Sequence, residues 1–258
     1  MLNMLKVDFI RLRKSSAFWL LLFGMLIIAF VFMIIQKTAM DYSVPLSRVI
    51  FLPMSMYGLA VSAFISTFVG TDFSDGFIRN KLLFLNNRNN YVISQIIVCC
   101  TACAIVYVII TAFSAGVGYF FFENNVKGID FIRFFLLGFG TSLVSGCLFC
   151  VITILCRNKT RAIICCMGLA FLTLVLAMHT NSILVQTMYK NGILNPNYID
   201  GFRRALISIL HDLNPCGQAS QLSSWKVWHP IRMMIMDIIL ICSLSTLGCL
   251  VFQRKDIN

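Results

Sequence analysis

The stretch SSAFWLLLFGMLIIAFVFMIIQ, residues 15–36, decides the fold class, because it has no charged side chain over the length of a bilayer-spanning helix. About 20 helical residues cross a hydrocarbon core of roughly 30 Å. Further charge-free runs cover residues 49–71, 89–122, 134–156 and 162–189. A sixth run, about 233–253, is interrupted only by Asp237. The sequence therefore predicts six transmembrane helices.

The composition of the chain also indicates a membrane protein. Of its 258 residues, 59% are hydrophobic and only 12% are charged. That is too little charge to cover the surface of a soluble domain of this length. We therefore predict a single all-helical transmembrane domain over residues 1–258.

The basic residues predict how the spans are oriented. Six spans put both termini on one side, where Arg157, Lys159 and Arg161 crowd a short turn. Positively charged short loops stay in the cytoplasm, so both termini of this multi-pass protein are predicted to be cytoplasmic. The formal net charge of +11 then reflects topology and contact with anionic membrane lipids. Nucleic acid is not expected as a partner, since no basic patch interleaves with aromatic residues.

Two segments outside the spans have helical periodicity. Residues 1–16 are predicted to form a cytoplasmic amphipathic helix at the membrane interface, with a frayed basic tail as the alternative. A cleavable signal peptide is not expected, because the apolar region that follows is too long and lacks a cleavage site.

The external segment 181–231 is predicted to hold an amphipathic or re-entrant helix before the last span. Its apolar positions follow steps of three and four: Ile199, Phe202, Leu206, Ile209 and Leu213. Asn214–Gly217 should end that helix, and a ligand role for it stays open beside an interfacial one.

The fourth span contains small residues at helical spacing. Gly138, Ser142 and Gly146 follow one another at intervals of four, and such residues let helices approach closely in a bilayer. We expect a helix-packing seam, either within the bundle or at a dimer interface.

Residues that would form a catalytic or metal site are missing from the sequence. The three histidines have no metal-ligand spacing, and no Gly-Lys dipeptide exists, which excludes a Walker A loop. We therefore expect no enzyme, no metal site and no cofactor on this chain. The cysteines are expected to pack as small apolar residues, with Cys216 alone outside the spans. Asp237 is expected to pair with a donor at the outer leaflet such as Arg232, with a proton relay as the alternative.

A dense polar stretch, GTDFSDGFIRNKLLFLNNRNNY at residues 70–91, separates the second and third spans. Together with IRLRKSSAFWLLL before the first span, LNPCGQASQL before the last span and the ending FQRKDIN, it resembles the permease subunit of bacterial type-2 ABC exporters. The similar members are small six-span permeases, such as bacitracin and lantibiotic resistance transporters. The resemblance covers most of the chain.

The resemblance implies a fold, a set of partners and a role for the loop. It implies a half-transporter of six helices in the bacterial cytoplasmic membrane, paired with a second permease subunit as a homodimer or heterodimer. Residues 70–91 would be the coupling loop, which docks on a separate ATPase subunit that binds ATP and Mg²⁺. The cargo would be an amphipathic or hydrophobic substrate, such as a peptide antibiotic or toxin, that leaves the cell or the membrane.

The expected ATPase contact combines the family motif with the charged and apolar side chains around it. It comprises Asp72, Asp75, Gly76, Phe77, Ile78, Arg79, Asn80, Lys81 and Arg88. Phe77 departs from the usual threonine of the motif. Two other functions remain open: a non-transporting membrane sensor or assembly protein with the same fold, and, less favoured because intramembrane charge is scarce, an ion-coupled carrier.

Overall fold

The chain folds into a bundle of α-helices over residues 2–40, 43–77, 89–190, 193–196 and 198–254, which are the residues that the computed structural model describes. The helices are α1 (Leu2–Lys14), α2 (Ser16–Ala39), α3 (Met54–Ser74), α4 (Asn89–Phe121), α5 (Gly128–Cys156), α6 (Lys159–Leu184), α7 (Gly201–Leu213), α8 (Pro215–Ser223) and α9 (Pro230–Arg254). A 3-10 turn at Leu46–Arg48 and a two-residue antiparallel strand pair, β1 (Tyr189–Lys190) with β2 (Ile193–Leu194), complete the described elements.

Six of these helices, α2 to α6 and α9, are long and apolar enough to cross a membrane, which confirms the predicted spans. The chief difference in their bounds is at α5, which begins at Gly128 rather than at residue 134. Asp130 and Arg133 lie in its first turns. The prediction began too late because a charged residue marks where a helix leaves the apolar layer, whereas the helical hydrogen bonds continue beyond that point.

We call the end of the bundle with α1 and the last turn of α9 the terminal end, and the opposite end the distal end.

The bundle core places α5 directly against α4. A Cβ atom on Gly138 would lie 2.4 Å from the hydroxyl oxygen of Tyr107, and one on Gly146 would lie 3.1 Å from the Cα of Cys100. Ser142, between the two glycines, is fully buried. The small residues of α5 therefore face another helix of the same chain. The Tyr107 hydroxyl donates a hydrogen bond to the Phe135 carbonyl at 2.9 Å, which satisfies a polar group that lipid could not.

Helix α1 lies against the bundle rather than only on the membrane surface. Leu5, Phe9 and Leu12 pack on the hydrophobic core, while Val7 and Ile10 remain more than half exposed. The predicted apolar stripe thus faces protein, and a second apolar face is left for lipid.

The segment that was predicted to be external forms a helical hairpin, α7 and α8, at the distal end. Asn214 ends α7 as predicted, but its side chain also accepts a hydrogen bond from the Cys216 backbone N–H at 3.1 Å and so caps α8. Pro215 follows at the first helical position, where a missing N–H costs nothing. The hairpin directs α8 inward against α3, α5 and α6, whereas α7 exposes Phe202 and Leu206.

The inward course of α8 partly buries Cys216 as well. Its sulfur lies 3.4 Å from the Thr173 hydroxyl oxygen of α6. Burial raises the pKa of this thiol, so Cys216 is packed within the protein although it lies outside the spanning helices. All eleven cysteines are free.

The prediction that Asp237 pairs with Arg232 is wrong. Asp237 accepts a hydrogen bond from the Gln218 amide at 2.7 Å, and the Arg232 Nε atom donates to the Asp212 carboxylate at 2.6 Å. Asp237 follows Arg232 by five positions, which turns the two side chains about 140° apart around α9. The α7–α8 hairpin supplies each of them with its own partner.

Candidate functional site at the terminal end

The site is a buried polar network at the base of the loop between α3 and α4. Asp72, in the last turns of α3, is completely buried and forms a salt bridge with Arg11 of α1. The same guanidinium group donates to the Thr71 hydroxyl at 2.6 Å and to the Phe68 carbonyl. It also lies 4.5 Å above the centre of the Phe68 ring. One arginine of α1 therefore holds the final turns of α3 through hydrogen bonds, charge and ring contact.

A second acidic residue ties α1 to the start of α4. Asp8 is fully buried, and its Oδ2 atom accepts hydrogen bonds from the Ser94 hydroxyl and the Gln95 amide, both at 3.1 Å. Asp8 and Arg11 are three residues apart and so lie on one face of α1. Since Asp8 holds α4 and Arg11 holds α3, α1 contacts both helices that flank the loop.

The last span closes the network from the other side. The Tyr91 ring stacks on the Phe252 ring of α9, with centroids 5.5 Å apart, and meets the Phe73 ring edge to face at 6.4 Å. The Tyr91 hydroxyl points to the second carboxylate oxygen of Asp72 at 3.4 Å. The start of α4 is thereby wedged between α3 and α9.

The turn between α5 and α6 lies close to the same base. A Cβ atom on Gly70 would lie 3.1 Å from the Cα of Lys159, so α3 and the start of α6 are in backbone contact. Arg157 takes a left-handed conformation, with φ of 53°, and the Asn158 side chain caps α6 by accepting from the Thr160 N–H at 2.9 Å. A basic turn thus borders the site.

The predicted contact residues fall into three groups. Asp72 is buried in its salt bridge, so it belongs to the base of the loop and not to its exposed surface. Asp75, Gly76 and Phe77 are exposed, and Gly76 has φ of +71°, a left-handed conformation that favours glycine. The remaining predicted residues lie outside the described part of the chain: Ile78, Arg79, Asn80, Lys81 and Arg88.

Sequence reasoning missed Asp8, Arg11, Tyr91, Ser94 and Gln95 as parts of the site. One signal was available for Asp8, because a single acidic residue stands in an otherwise basic segment, three positions before an arginine. The sequence contains no comparable signal for Ser94 and Gln95, which stand near the start of an apolar run.

The network depends on buried charges that are paired within the chain. Removing one partner from a buried ion pair generally costs about 3–5 kcal/mol, because the other charge is left without compensation. Among the residues that the structure describes, no cluster of histidine, cysteine or acidic side chains could hold a metal ion.

Neither the models of known protein families nor the curated proteins include a match to this chain.

Proposed function

We propose that the chain is the permease subunit of an ATP-driven exporter and that residues 70–91 receive force from a separate ATPase subunit. The observation that carries the proposal is the double attachment of the loop base, in which Arg11 holds α3 and Asp8 holds α4. The likeness of the loop and flanking motifs to type-2 ABC permeases supports it.

The network supports such a role because a buried salt bridge and buried hydrogen bonds hold the two helices that flank the loop. A displacement of the loop is passed to α3 and α4 together, since both are bonded to the same short helix. A partner that contacts the loop differently in two states would shift the equilibrium between two bundle conformations. Exposed Phe77 offers an apolar group for that contact.

In this proposal the chain lies in a bacterial cytoplasmic membrane with the terminal end in the cytoplasm, where the ATPase binds. A second permease subunit completes the transporter. The cargo is an amphipathic or hydrophobic molecule, such as a peptide antibiotic, because the bundle is apolar and contains few charges.

The proposal is tested by purifying the tagged full-length chain from its native host in mild detergent. We expect a subunit with ATPase activity to co-purify. Gly76→Pro with Arg79→Glu should lower its recovery by about tenfold or more, because proline cannot adopt a positive φ and the arginine charge is reversed. The matched control is Arg203→Glu, an exposed charge reversal on α7 at the distal end.

Two results would contradict the proposal. If no ATPase accompanies the wild-type chain, a sensor or assembly function explains the fold better. If the ATPase is recovered equally with the loop variant and with the control, the partner binds elsewhere. Size-exclusion elution of each variant shows whether the fold is intact.

A further inference from the structure

A cavity of about 450 Å³ lies at the distal end, where α6 ends and α9 begins. Its lining includes Asp200, Arg204 and Ser208 of the α7 region and Trp228, His229 and Arg232 before and within α9. The volume is within the range of about 300–1,000 Å³ that is typical of small-molecule sites. Because the cavity sits at the ends of two spanning helices, it is at the level of the lipid headgroups.

Arg204 brings a fixed cation to the cavity. Its Nη2 atom donates to the carbonyl of Leu184 at 2.9 Å and to that of Gln186 at 3.3 Å. The guanidinium group also lies 4.7 Å above the Tyr198 ring. Its Nη1 atom is buried, with almost no accessible surface, and has no hydrogen-bond partner in the described structure. A ligand acceptor that reached this covered atom would therefore give the guanidinium group a bond that the protein does not supply.

Asp200 brings a carboxylate to the same cavity, one helical turn from Arg204. Its Oδ1 atom accepts from the Gly201 backbone N–H at 2.6 Å, which caps α7. Asp200 and Arg204 do not form a salt bridge with each other, because the first is held at the cap and the second by the end of α6. The cavity thus offers one positive and one negative group that are both available to a ligand.

The other arginine of the cavity is already neutralised. Arg232 forms a salt bridge with Asp212, which is almost fully buried, and donates to the Ser208 hydroxyl. A purely anionic ligand would meet the Asp200 charge, and a purely cationic ligand would meet Arg204. A ligand with a phosphate and an ammonium group a few ångströms apart satisfies both. Trp228 adds an aromatic wall of the kind that favours ammonium groups.

The surroundings of the cavity indicate that this ligand is attached to acyl chains. Phe202 and Leu206 of α7 are 81% and 56% exposed, and Ile231, next to Arg232, is 74% exposed. In a bilayer these side chains face lipid, so a headgroup in the cavity has apolar surface directly beside it. We propose that the cavity binds the phosphoethanolamine headgroup of a membrane lipid, with the phosphate at Arg204 and the ammonium at Asp200.

The test measures which lipid stays bound to the full-length chain. The protein is extracted from bilayers of equal parts phosphatidylethanolamine and phosphatidylglycerol, and the bound lipid is identified by native mass spectrometry. We expect the wild type to retain phosphatidylethanolamine preferentially. Arg204→Gln should reduce that retention by about tenfold or more, since a charge-assisted bond is lost. The matched control, Arg203→Gln, changes the adjacent exposed arginine, which does not line the cavity, and should retain the lipid as the wild type does.

A second variant keeps the test valid if Arg204→Gln disturbs the fold. Asparagine is as good a helix cap as aspartate, so Asp200→Asn keeps the cap and removes only the charge. This variant should lose the preference for phosphatidylethanolamine and retain phosphatidylglycerol to the same extent. Equal retention of the two lipids by the wild type, or equal losses in Arg203→Gln and Arg204→Gln, would overturn the proposal. Displacement of the bound lipid by free phosphoethanolamine at equal concentration would overturn the lipid as the source and assign the site to a soluble zwitterion.

Discussion

Arg11 and Asp72 form a salt bridge that joins the N-terminal helix to the last turns of α3, with the aspartate completely buried and the arginine about a quarter exposed. The pair lies at the point where the chain leaves the membrane bundle for the segment that connects α3 with α4. Its stability therefore decides how firmly that loop is connected to the helices.

Removing the arginine should destabilise the protein more than removing its neighbour. Arg11→Ala removes the salt bridge from the buried Asp72 carboxylate, and losing one partner of a buried ion pair is expected to lower the free energy of unfolding by about 3–5 kcal/mol. Arg13→Ala, the control, removes an exposed charge of the same helix. Thermal unfolding in detergent measures both. Adding Asp72→Asn to Arg11→Ala should recover part of the loss, and a double variant no more stable than Arg11→Ala would show that the two residues are not coupled.

The close contact between α5 and α4 predicts that one glycine cannot be enlarged. Gly138→Ala would place a methyl group 2.4 Å from the Tyr107 hydroxyl, so that side chain must move and lose its bond to the Phe135 carbonyl. Overpacking of this kind costs about 1–3 kcal/mol, which a drop in melting temperature would report. Gly116→Ala in α4 is the control, since no atom lies within 4 Å of its added Cβ. A neutral Gly138→Ala would mean that α4 and α5 are farther apart.

His211 should make the distal hairpin sensitive to acid. It is fully buried, its Nδ1 atom lies 2.6 Å from the Thr180 hydroxyl oxygen, and burial lowers its pKa below the ordinary value of 6.5, partly opposed by Asp212. The unfolded chain then binds a proton at a higher pH than the folded one. The stability from neutral His211 is present above pH 6.5 and is lost as the pH falls from there through the folded pKa.

Melting temperatures at pH 7.5 and pH 5.0 check this dependence. The wild type should lose stability over the interval, and His211→Gln should show a smaller loss because the titrating group is gone. His179→Gln removes an exposed histidine and should keep the wild-type dependence. An unchanged dependence in His211→Gln would assign the acid sensitivity to another group.

The sequence predicted the helices well because a spanning helix is a local property of hydropathy and length. The runs at 15–36 and 89–122 became α2 and α4 with bounds shifted by at most three residues. The partners of charged side chains were harder to predict, because they depend on elements distant in the chain. Arg232 bonds Asp212 only because α7 folds back between α6 and α9.

The base of the loop illustrates the same limit at the terminal end. Asp72 was predicted as a surface contact from its motif, yet the approach of α1 buries it. The exposed loop residues could be predicted from polarity and turn residues alone. The attachment through Asp8 required knowledge that α1 lies across α4, which no periodicity in residues 1–16 reveals.

Asp8 gives the sharpest test of force transmission, and it rests on the proposed function. Asp8→Ala removes the acceptor for Ser94 and Gln95 but leaves the Arg11–Asp72 salt bridge and the exposed loop residues in place. We expect the ATPase to co-purify as with the wild type, while substrate-stimulated ATP hydrolysis by the complex falls severalfold, because the hydrogen bonds from α4 to Asp8 of α1 are lost. Lys6→Ala, an exposed change on the same helix, should leave both measurements unaltered. Full stimulation in Asp8→Ala would show that the loop acts on the bundle through α3 alone, whereas loss of ATPase binding would show that the network shapes the docking surface rather than the transmission of force.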